Sequence, residues 1–172
     1  GQAESEVTTV AITVGEANVE VTDAQLSIQL QVSAAPFGAE IDTLWTDSTF
    51  WVSAFVEDLR DVPAGVIGGA IDLTYDAAEV TPTGEVAYGE AFDMFQQGEV
   101  NSEEGLVDEA GALTATAMVG ADEAAPFVSW QFTRTGDAIA TQFVVDPAEG
   151  TSTILPSNFA MTDSGVPVEW SN

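Results

Sequence analysis

The sequence predicts an all-β fold, a jelly-roll sandwich of about nine short strands. Three features lead to this prediction. Short runs alternate apolar and polar residues with the two-residue period of a strand. Glycine, proline, asparagine and aspartate interrupt these runs roughly every 8–15 residues, as turns do in sandwiches. No run shows the 3.6-residue apolar period of a long helix.

The first predicted strand, residues 7–14, is rich in β-branched residues and precedes the sandwich itself. Its predicted contact residues are Val10, Ile12 and Val14. The run has no proline or charge to blunt a free edge, so it closes an edge of its own sandwich or adds to a neighbouring molecule. The chain therefore divides into an N-terminal extension or extra strand, residues 1–24, and a β-sandwich domain, residues 25–172.

The clearest half-buried strand is predicted for residues 25–33, where four aliphatic residues alternate with polar ones. The inward residues are Leu26, Ile28, Leu30 and Val32. Residues 34–49 are predicted to form a loop around Pro36 and Gly38, with Trp45 as its one large anchor.

Two strand-like runs, residues 50–56 and 66–75, form the centre of the chain and are joined by a loop containing Pro63 and Gly65. In the first run, the predicted inward residues are Phe50, Val52, Ala54 and Val56. In the second, they are Ile67, Ile71, Leu73 and Tyr75. The opposite face of the second run is predicted to carry Ala70, Asp72 and Thr74. A glycine inside a strand marks a bulge or a close backbone approach, which we expect at Gly68 and Gly69.

Shorter elements are predicted for the second half of the chain. They are a turn at 79–84, a short strand at 85–88, one helical turn at 92–95, an acidic loop at 96–111 and a strand at 112–119. Residues 125–133 are predicted to form a hairpin with residues 138–146 through a Gly-Asp turn. The last strands are predicted at 152–155 and 166–170.

The charge of the chain limits its partners. It has 29 acidic residues against two basic ones, and its formal net charge is −27. Nucleic acids and anionic membranes are bound through lysine and arginine, so we predict neither as a partner. Such a chain repels itself at low salt, which favours a saline or ion-rich environment. The two arginines, Arg60 and Arg134, are expected to pair with carboxylates, Arg60 as a structural clamp beside Asp58 and Asp61.

Length and residue types set further limits. The 172 residues fit one domain with an ordinary core. The absence of cysteine excludes disulfides, and the absence of histidine removes the commonest general base. No run of about 18 apolar residues could span a membrane. No secretory signal is visible at Gly1, and we predict an extracellular or cell-surface protein whose signal has been removed.

Calcium is the one cofactor that the sequence suggests. Oxygen ligands crowd the predicted acidic loop, and Ca²⁺ prefers several such ligands. The candidate ligands are Asn101, Glu103, Glu104, Asp108 and Glu109. No EF-hand spacing is present, and a chain this acidic has acidic loops throughout. Both interpretations of this loop stay open.

Catalysis is not predicted. Carboxylate pairs can hydrolyse glycosides, but an acidic chain offers many pairs and no histidine or arginine cluster supports them. A serine hydrolase would need a G-x-S-x-G motif and a histidine base, which are both absent. Trp51 and Phe55 lie on the parity opposite the predicted core. If they are exposed, they form a partner surface or stack on sugar rings.

Two blocks resemble the cohesin-like family of bacterial β-sandwich modules, which are themselves similar to carbohydrate-binding modules. They are Phe-x-Val-x-Ala-x-Val-Glu-Asp-Leu-Arg at residues 50–60, and Gly-Val-Ile-x-x-Ala-Ile-Asp-Leu-Thr-Tyr-Asp at residues 65–76. The family occurs in cellulosome scaffolds and surface proteins. The resemblance implies that a partner docks on the flat sheet face near the second run. The candidate partner residues are Trp51, Phe55, Gly68, Gly69, Ala70, Asp72 and Thr74.

The leading functional prediction is a non-catalytic extracellular module for protein–protein binding. Its partner would be a dockerin-like module or a copy of the same chain. The first alternative is a self-assembling surface fibre or layer subunit that uses the N-terminal strand. The second is a carbohydrate-binding module with a polysaccharide ligand.

Overall fold

The computed structural model describes residues 10–11, 26–41, 43–45, 47–136, 141–147, 154–156 and 168–171. These residues form twelve strands and no helix. The strands are β1 (Val10–Ala11), β2 (Leu26–Ser33), β3 (Thr43–Leu44), β4 (Thr49–Asp58), β5 (Val66–Tyr75), β6 (Val80–Tyr88), β7 (Met94–Asn101), β8 (Leu106–Leu113), β9 (Ala125–Arg134), β10 (Phe143–Pro147), β11 (Ile154–Pro156) and β12 (Val168–Ser171). Nine of the twelve are four residues or longer. The predicted all-β class is therefore confirmed.

The strands form two sheets. Sheet I has the order β12-β2-β4-β9-β6, and sheet II has the order β10-β5-β8-β7, with β11 also paired to β5. The pairing of β12 with β2 is parallel, and the other pairings of the two sheets are antiparallel. β1 and β3 form a separate two-stranded ribbon.

The core lies between the sheets, where aromatic rings from both sides meet. Tyr75 of sheet II contacts Phe132 of sheet I edge to face, with ring centroids 5.0 Å apart. Phe50 of sheet I contacts Phe143 of sheet II with centroids 6.0 Å apart. The predicted inward residues of β4 are all fully buried: Phe50, Val52, Ala54 and Val56. Burying each large apolar side chain contributes about 1.5–3 kcal/mol, so this layer is a main source of stability.

One face assignment is wrong, at the start of β5. Leu73 and Tyr75 are buried as predicted, whereas Ile67 is 38% exposed and Val66 is buried instead. Gly68 lies between the two halves with a φ of 146°, which residues with a Cβ rarely adopt. A Cβ there would also collide with the backbone of β8, so the expected close approach is confirmed. The glycine breaks the alternation, and the residues before it change faces.

The predicted turn at residues 79–84 is wrong. Glu79 lies in a turn, but β6 begins at Val80 and runs through the rest of this range as one edge strand of sheet I, with a bulge between Pro82 and Val86 where the register against β9 shifts. A proline cannot donate a ladder hydrogen bond, but edge strands and bulges tolerate it. Local turn residues therefore marked a bulge rather than the end of a strand.

The predicted helical turn at 92–95 and the predicted acidic loop at 96–111 are also wrong. β7 and β8 pair antiparallel and form a hairpin closed by the turn at residues 102–105. Phe92, ahead of this hairpin, packs into the core against Phe127, with ring centroids 4.9 Å apart. Of the acidic residues in this region, Glu99, Asp108 and Glu109 lie on strands, whereas Glu103 and Glu104 lie in the turn.

Two predictions after the hairpin are wrong. β8 ends at Leu113, and the strand predicted for residues 112–119 does not extend beyond it. β10 pairs with β5 of sheet II rather than with β9 of sheet I, so the predicted hairpin of residues 125–133 with 138–146 does not form. The chain crosses between the sheets there, and turn residues alone do not distinguish a crossover from a hairpin.

The N-terminal strand pairs within its own chain, because Val10 of β1 is opposite Leu44 of β3. Ile12 and Val14 lie outside the described residues, so their predicted contacts stay predictions. Trp45, which follows the ribbon, is 56% exposed, whereas Leu44 is buried. The prediction of Trp45 as the anchor of this loop is therefore wrong, and the smaller aliphatic neighbour takes that place.

Candidate functional site

The outer side of sheet I is covered by the connection between β2 and β3. We call residues 34–41 the strap, and the side of sheet I beneath it the covered face. The ring of Phe37 packs edge to face on Phe55 of β4, with centroids 5.9 Å apart. The Phe37 amide donates to Ser53 Oγ at 3.2 Å. Packing and hydrogen bonding together fix the strap to the sheet.

Two serines beneath the strap are closed to solvent. Ser53 and Ser129 are both fully buried, and their hydroxyl oxygens are 2.7 Å apart. Buried hydroxyls need a partner, and these two satisfy each other. Trp51 and Phe55, the predicted partner residues on this side, are half-buried and do not form an exposed patch. The covered face therefore contributes to the stability of the fold.

The outer side of sheet II differs, because its strands expose outward side chains. Thr74 on β5, Asp108 on β8 and Glu99 on β7 are exposed. We call this side the open face. Of the predicted contacts on it, Thr74 is exposed, whereas Ala70 and Asp72 are nearly buried. A partner could therefore reach Thr74, Asp108 and Glu99 on this side of the described chain, but not Ala70 or Asp72.

Acidic residues occupy register positions on the strands of sheet II. In the sheet register Asp146 of β10 is opposite Asp72 of β5, and Asp108 of β8 is opposite Glu99 of β7. Asp72 faces a bulge formed by Asp108 and Glu109, and Asp72 Oδ1 accepts the Glu109 amide at 2.8 Å. Asp72 is buried, whereas Asp108 and Glu99 are exposed, and we call these two the acidic row. Like charges directly opposite each other destabilise a sheet, so folding does not account for the row.

One end of the open face is apolar. Leu113 of β8 is opposite Gly68 of β5 and also opposite Met94 of β7. Ile67 and Met94 are 38% and 39% exposed, and Phe95 is 74% exposed. We call Ile67, Met94 and the half-buried Leu113, together with Phe95 beside Met94 on β7, the apolar end. Exposed apolar side chains that adjoin one another are typical of interaction surfaces.

The loop beside the apolar end, residues 58–65, is fixed by a buried carboxylate. Asp58 accepts the Arg60 side chain, at 2.8 Å from Nε and 2.6 Å from Nη2. It also accepts the amides of Ala64 and Gly65, each at 2.9 Å. Burial alone would raise the pKa of Asp58, but the hydrogen bonds from Arg60 and the backbone amides hold it below its usual value. The predicted structural clamp of Arg60 is confirmed.

The candidate calcium ligands do not converge. Asn101 Nδ2 donates to Glu104 Oε2 at 2.6 Å across the β7–β8 turn. Glu103 is exposed in the same turn, and Asp108 and Glu109 lie along β8. The described residues contain no group of three or more acidic side chains that could hold a metal ion. The five candidates therefore do not form the single site that the sequence suggested.

The most informative residues of the open face were missed in the sequence. Glu99, Met94 and Phe95 fell in regions predicted as an acidic loop and a helical turn. One signal could have found them, because two runs of eight residues flank the short segment 102–105, which ends in Gly105. Such a loop is typical of a hairpin.

No part of the described chain is a helix long and apolar enough to cross a membrane.

Solved cohesin modules have a similar fold. The third cohesin of ScaC from Acetivibrio cellulolyticus, solved in complex with the ScaB dockerin, is 15% identical over 84% of this chain and 94% of that chain, with a TM-score of 0.50. The seventh ScaB type I cohesin from Pseudobacteroides cellulosolvens is 16% identical over 67% of this chain and 68% of that chain, with a TM-score of 0.45.

A type III cohesin module from the cell-surface anchoring scaffoldin ScaE of Ruminococcus flavefaciens is 13% identical over 81% of this chain and 77% of that chain, with a TM-score of 0.44. No protein-family model and no curated protein sequence matches this chain. The likeness to the Acetivibrio module shows the fold, a cohesin-like β-sandwich, and confirms the resemblance found in the sequence.

Proposed function

We propose that this chain is a non-catalytic module that binds another protein through its open face. The contrast between the two outer faces carries the proposal, because the strap covers one sheet while the other exposes the apolar end and the acidic row. An exposed apolar patch rimmed by polar residues is typical of a protein interface.

The proposed partner is a dockerin-like module. The Acetivibrio cohesin, which has a similar fold, was solved in complex with a dockerin. The excess of acidic residues, which favours a saline or ion-rich environment, supports an extracellular or cell-surface location for the present chain. On this proposal the module attaches one protein to another and performs no chemistry itself.

The test is binding to a panel of purified dockerin modules, including the ScaB dockerin of Acetivibrio cellulolyticus, measured by titration calorimetry. Thr74→Arg places a long side chain in the open face and should weaken binding at least about tenfold. Gln29→Arg is the matched control, since Gln29 is exposed on β2 of sheet I. Equal losses in the two variants would place docking elsewhere, and no binding by any dockerin would remove this partner class.

The N-terminal extension, residues 1–24, is proposed to act within its own molecule. The pairing of β1 with β3 supports this use over a contact with a neighbour. Deleting residues 1–22 should lower thermal stability and leave the oligomeric state unchanged in light scattering. If the truncated chain stays equally stable but loses an oligomer, the segment joins molecules and the surface-fibre alternative is favoured.

A further inference from the structure

Phe95 is the most exposed aromatic residue in the described part of the chain, with 74% of its surface exposed. Its φ of 50° lies in the left-handed region, which bulky side chains adopt at a cost in free energy. Phe37 has a similar φ of 52°, but its ring packs on Phe55. No aromatic ring of the described residues pairs with Phe95. Packing therefore offsets the strain at Phe37, whereas folding gains nothing comparable from the ring of Phe95.

The strand that carries Phe95 is bulged. The register of β7 against β8 shifts between Met94 and Gln97, and again between Gln97 and Glu99. A bulge of this kind redirects a side chain away from the regular alternation of a strand. Gly98 follows with a φ of 140°, and a Cβ there would lie 2.9 Å from Ala110 Cα. The close approach of β7 to β8 thus fixes the bulge on its C-terminal side.

Two side-chain hydrogen bonds hold the bulge from outside the strand pairing. Tyr88 Oη on β6 donates to the Gln97 carbonyl at 2.7 Å, and this contact joins the last strand of sheet I to the last strand of sheet II. Gln96 Nε2 donates to the carbonyl of Phe92 at 2.9 Å, and Phe92 is fully buried. The backbone that follows Phe95 is therefore tied both to the opposite sheet and to the core.

We infer that Phe95 is the anchor residue of the docking surface, whose ring enters an apolar pocket of the protein partner, and that Tyr88 and Gln96 are positioning residues for it. Backbone strain that neighbouring contacts maintain is typical of functional positions. A side chain that is already held in place loses little conformational freedom on binding, and exposed aromatic residues often carry most of the binding energy of an interface.

The inference rests on the proposed docking function and adds the residue on which binding depends and the pocket that the partner must offer. The partner is a different protein rather than a second copy. A second copy would bring the same net charge of −27 to the contact, and two like-charged surfaces repel each other.

The first test is Phe95→Gly, measured by titration calorimetry with the dockerin panel and by thermal melting. Glycine adopts a left-handed φ without strain, so the Tm should equal or exceed that of the wild type. Affinity should fall at least about tenfold, because the anchor ring is gone. A residue kept for folding would show the reverse, a lower Tm with unchanged affinity.

Trp45→Ala is the matched control for Phe95→Ala. Trp45 is also an exposed aromatic residue, at 56%, but it lies between β3 and β4 rather than on sheet II. Phe95→Ala should weaken binding about tenfold, and Trp45→Ala should change it by about twofold or less. Equal losses would show that any exposed ring contributes, and the special place of Phe95 would be wrong.

The second test addresses positioning. Tyr88→Phe removes the hydroxyl that holds the Gln97 carbonyl and should weaken binding about threefold or more. The control is Tyr75→Phe, because the Tyr75 hydroxyl is buried without a hydrogen-bond partner among the described residues. In the Phe95→Gly background, Tyr88→Phe should cost no further affinity. A full loss there would show that Tyr88 does not act through Phe95.

The outcomes separate the inference from the docking function. If no dockerin binds, the proposed function fails and the anchor fails with it. If dockerins bind, Thr74→Arg blocks them and Phe95→Gly binds as the wild type does, docking on the open face stands and the anchor is wrong. If the wild type associates with itself in sedimentation and Phe95→Gly prevents this, the occupant is a second copy and the inference is overturned.

A last measurement needs no partner. The amides of residues 94–98 are followed by ¹⁵N relaxation in the free chain. They should be as rigid as the amides of β8, and Tyr88→Phe should make them more mobile while Tyr75→Phe should not. Mobile amides in the wild type would overturn the inference even if a dockerin binds, because the ring would then not be held in advance.

Discussion

The covered face and the open face are both outer sides of sheets in one sandwich, yet their side chains interact in opposite ways. On the covered face, Ser53 and Ser129 bond to each other beneath the strap, and Phe37 packs on Phe55. On the open face, Glu99 and Asp108 repel each other in the open. The first arrangement lowers the free energy of the folded chain, whereas the second raises it.

The difference shows how a sandwich with two similar sheets can assign one of them to binding. A sheet face that must stay folded without help needs satisfied polar groups and apolar cover. A face that waits for a partner can keep exposed apolar residues and unbalanced charge, because the partner supplies the cover. A mutation that destabilises the packing of the covered face should therefore leave the contribution of the open face to the free energy of unfolding nearly unchanged, and the same holds in the other direction.

The largest effect is expected where the open sheet meets the core. Leu73 is fully buried, and its chain neighbour Thr74 is exposed on the open face. Leu73→Ala should lower the free energy of unfolding by about 2–5 kcal/mol, the range for truncating a buried leucine. Thr74→Ala should change it by about 0.5 kcal/mol or less. Urea denaturation of both variants checks this, and the reverse ranking would invert the faces of β5.

The next effect concerns the clamp beside the apolar end. Asp58→Asn removes the charge that holds Arg60 and two backbone amides, and should cost about 1–3 kcal/mol at pH 7. The folded-state pKa of Asp58 is lowered, so its contribution is present above the ordinary aspartate pKa of about 3.9 and is lost as pH falls through the folded-state value.

The measurement is urea denaturation of the wild type and Asp58→Asn across a pH series. The stability difference should be largest near neutral pH and should shrink on acidification. A difference that grows as pH falls would contradict the lowered pKa. Asp61→Asn is the control, since Asp61 is exposed in the same loop.

The two faces can be compared by replacing one phenylalanine on each of them with alanine. Phe37 is half-buried in the strap against Phe55, and Phe95 is 74% exposed at the apolar end. Both have a positive φ, 52° and 50°, so replacing either by alanine carries a similar backbone effect. Phe37→Ala should lower stability by about 1–2 kcal/mol through lost burial and ring contact. Phe95→Ala should cost about 0.5 kcal/mol or less, and equal costs would remove the distinction between the faces.

The strands with strict alternation could be predicted from the sequence. Leu26, Ile28 and Val32 on β2 are buried as predicted, as are the four inward residues of β4. In such a run, the polarity of each residue indicates whether its side chain faces the core or the solvent, so local sequence information is enough. The same rule failed before Gly68, because a residue without a Cβ can change the backbone course that the rule assumes.

The faces available to a partner could not be predicted in the same way. The alternation placed Trp51 and Phe55 outside the core correctly, but only the folded strap shows that the outer side of sheet I is covered. The open face was obscured for a different reason. Acidic and polar residues disfavour strands, so the composition of β7 concealed a strand whose place depends on pairing with β8. In both cases the outcome depends on contacts between residues that are far apart in the sequence or in different elements.

The smallest effect is on stability, and it has the opposite sign from the others. Glu99→Gln/Asp108→Asn removes a like-charged pair on adjacent strands and should stabilise the free module by about 0.2–1 kcal/mol at low salt. Salt screens exposed charges, so the gain should shrink as NaCl rises. The control Asp47→Asn/Glu85→Gln removes the same charge from other exposed sites and separates the local effect from the general relief of a net charge of −27. Melting across a salt series measures both variants. An equal gain in the two would show that the acidic row carries no more strain than the rest of the surface, and the two faces would then differ in cover alone.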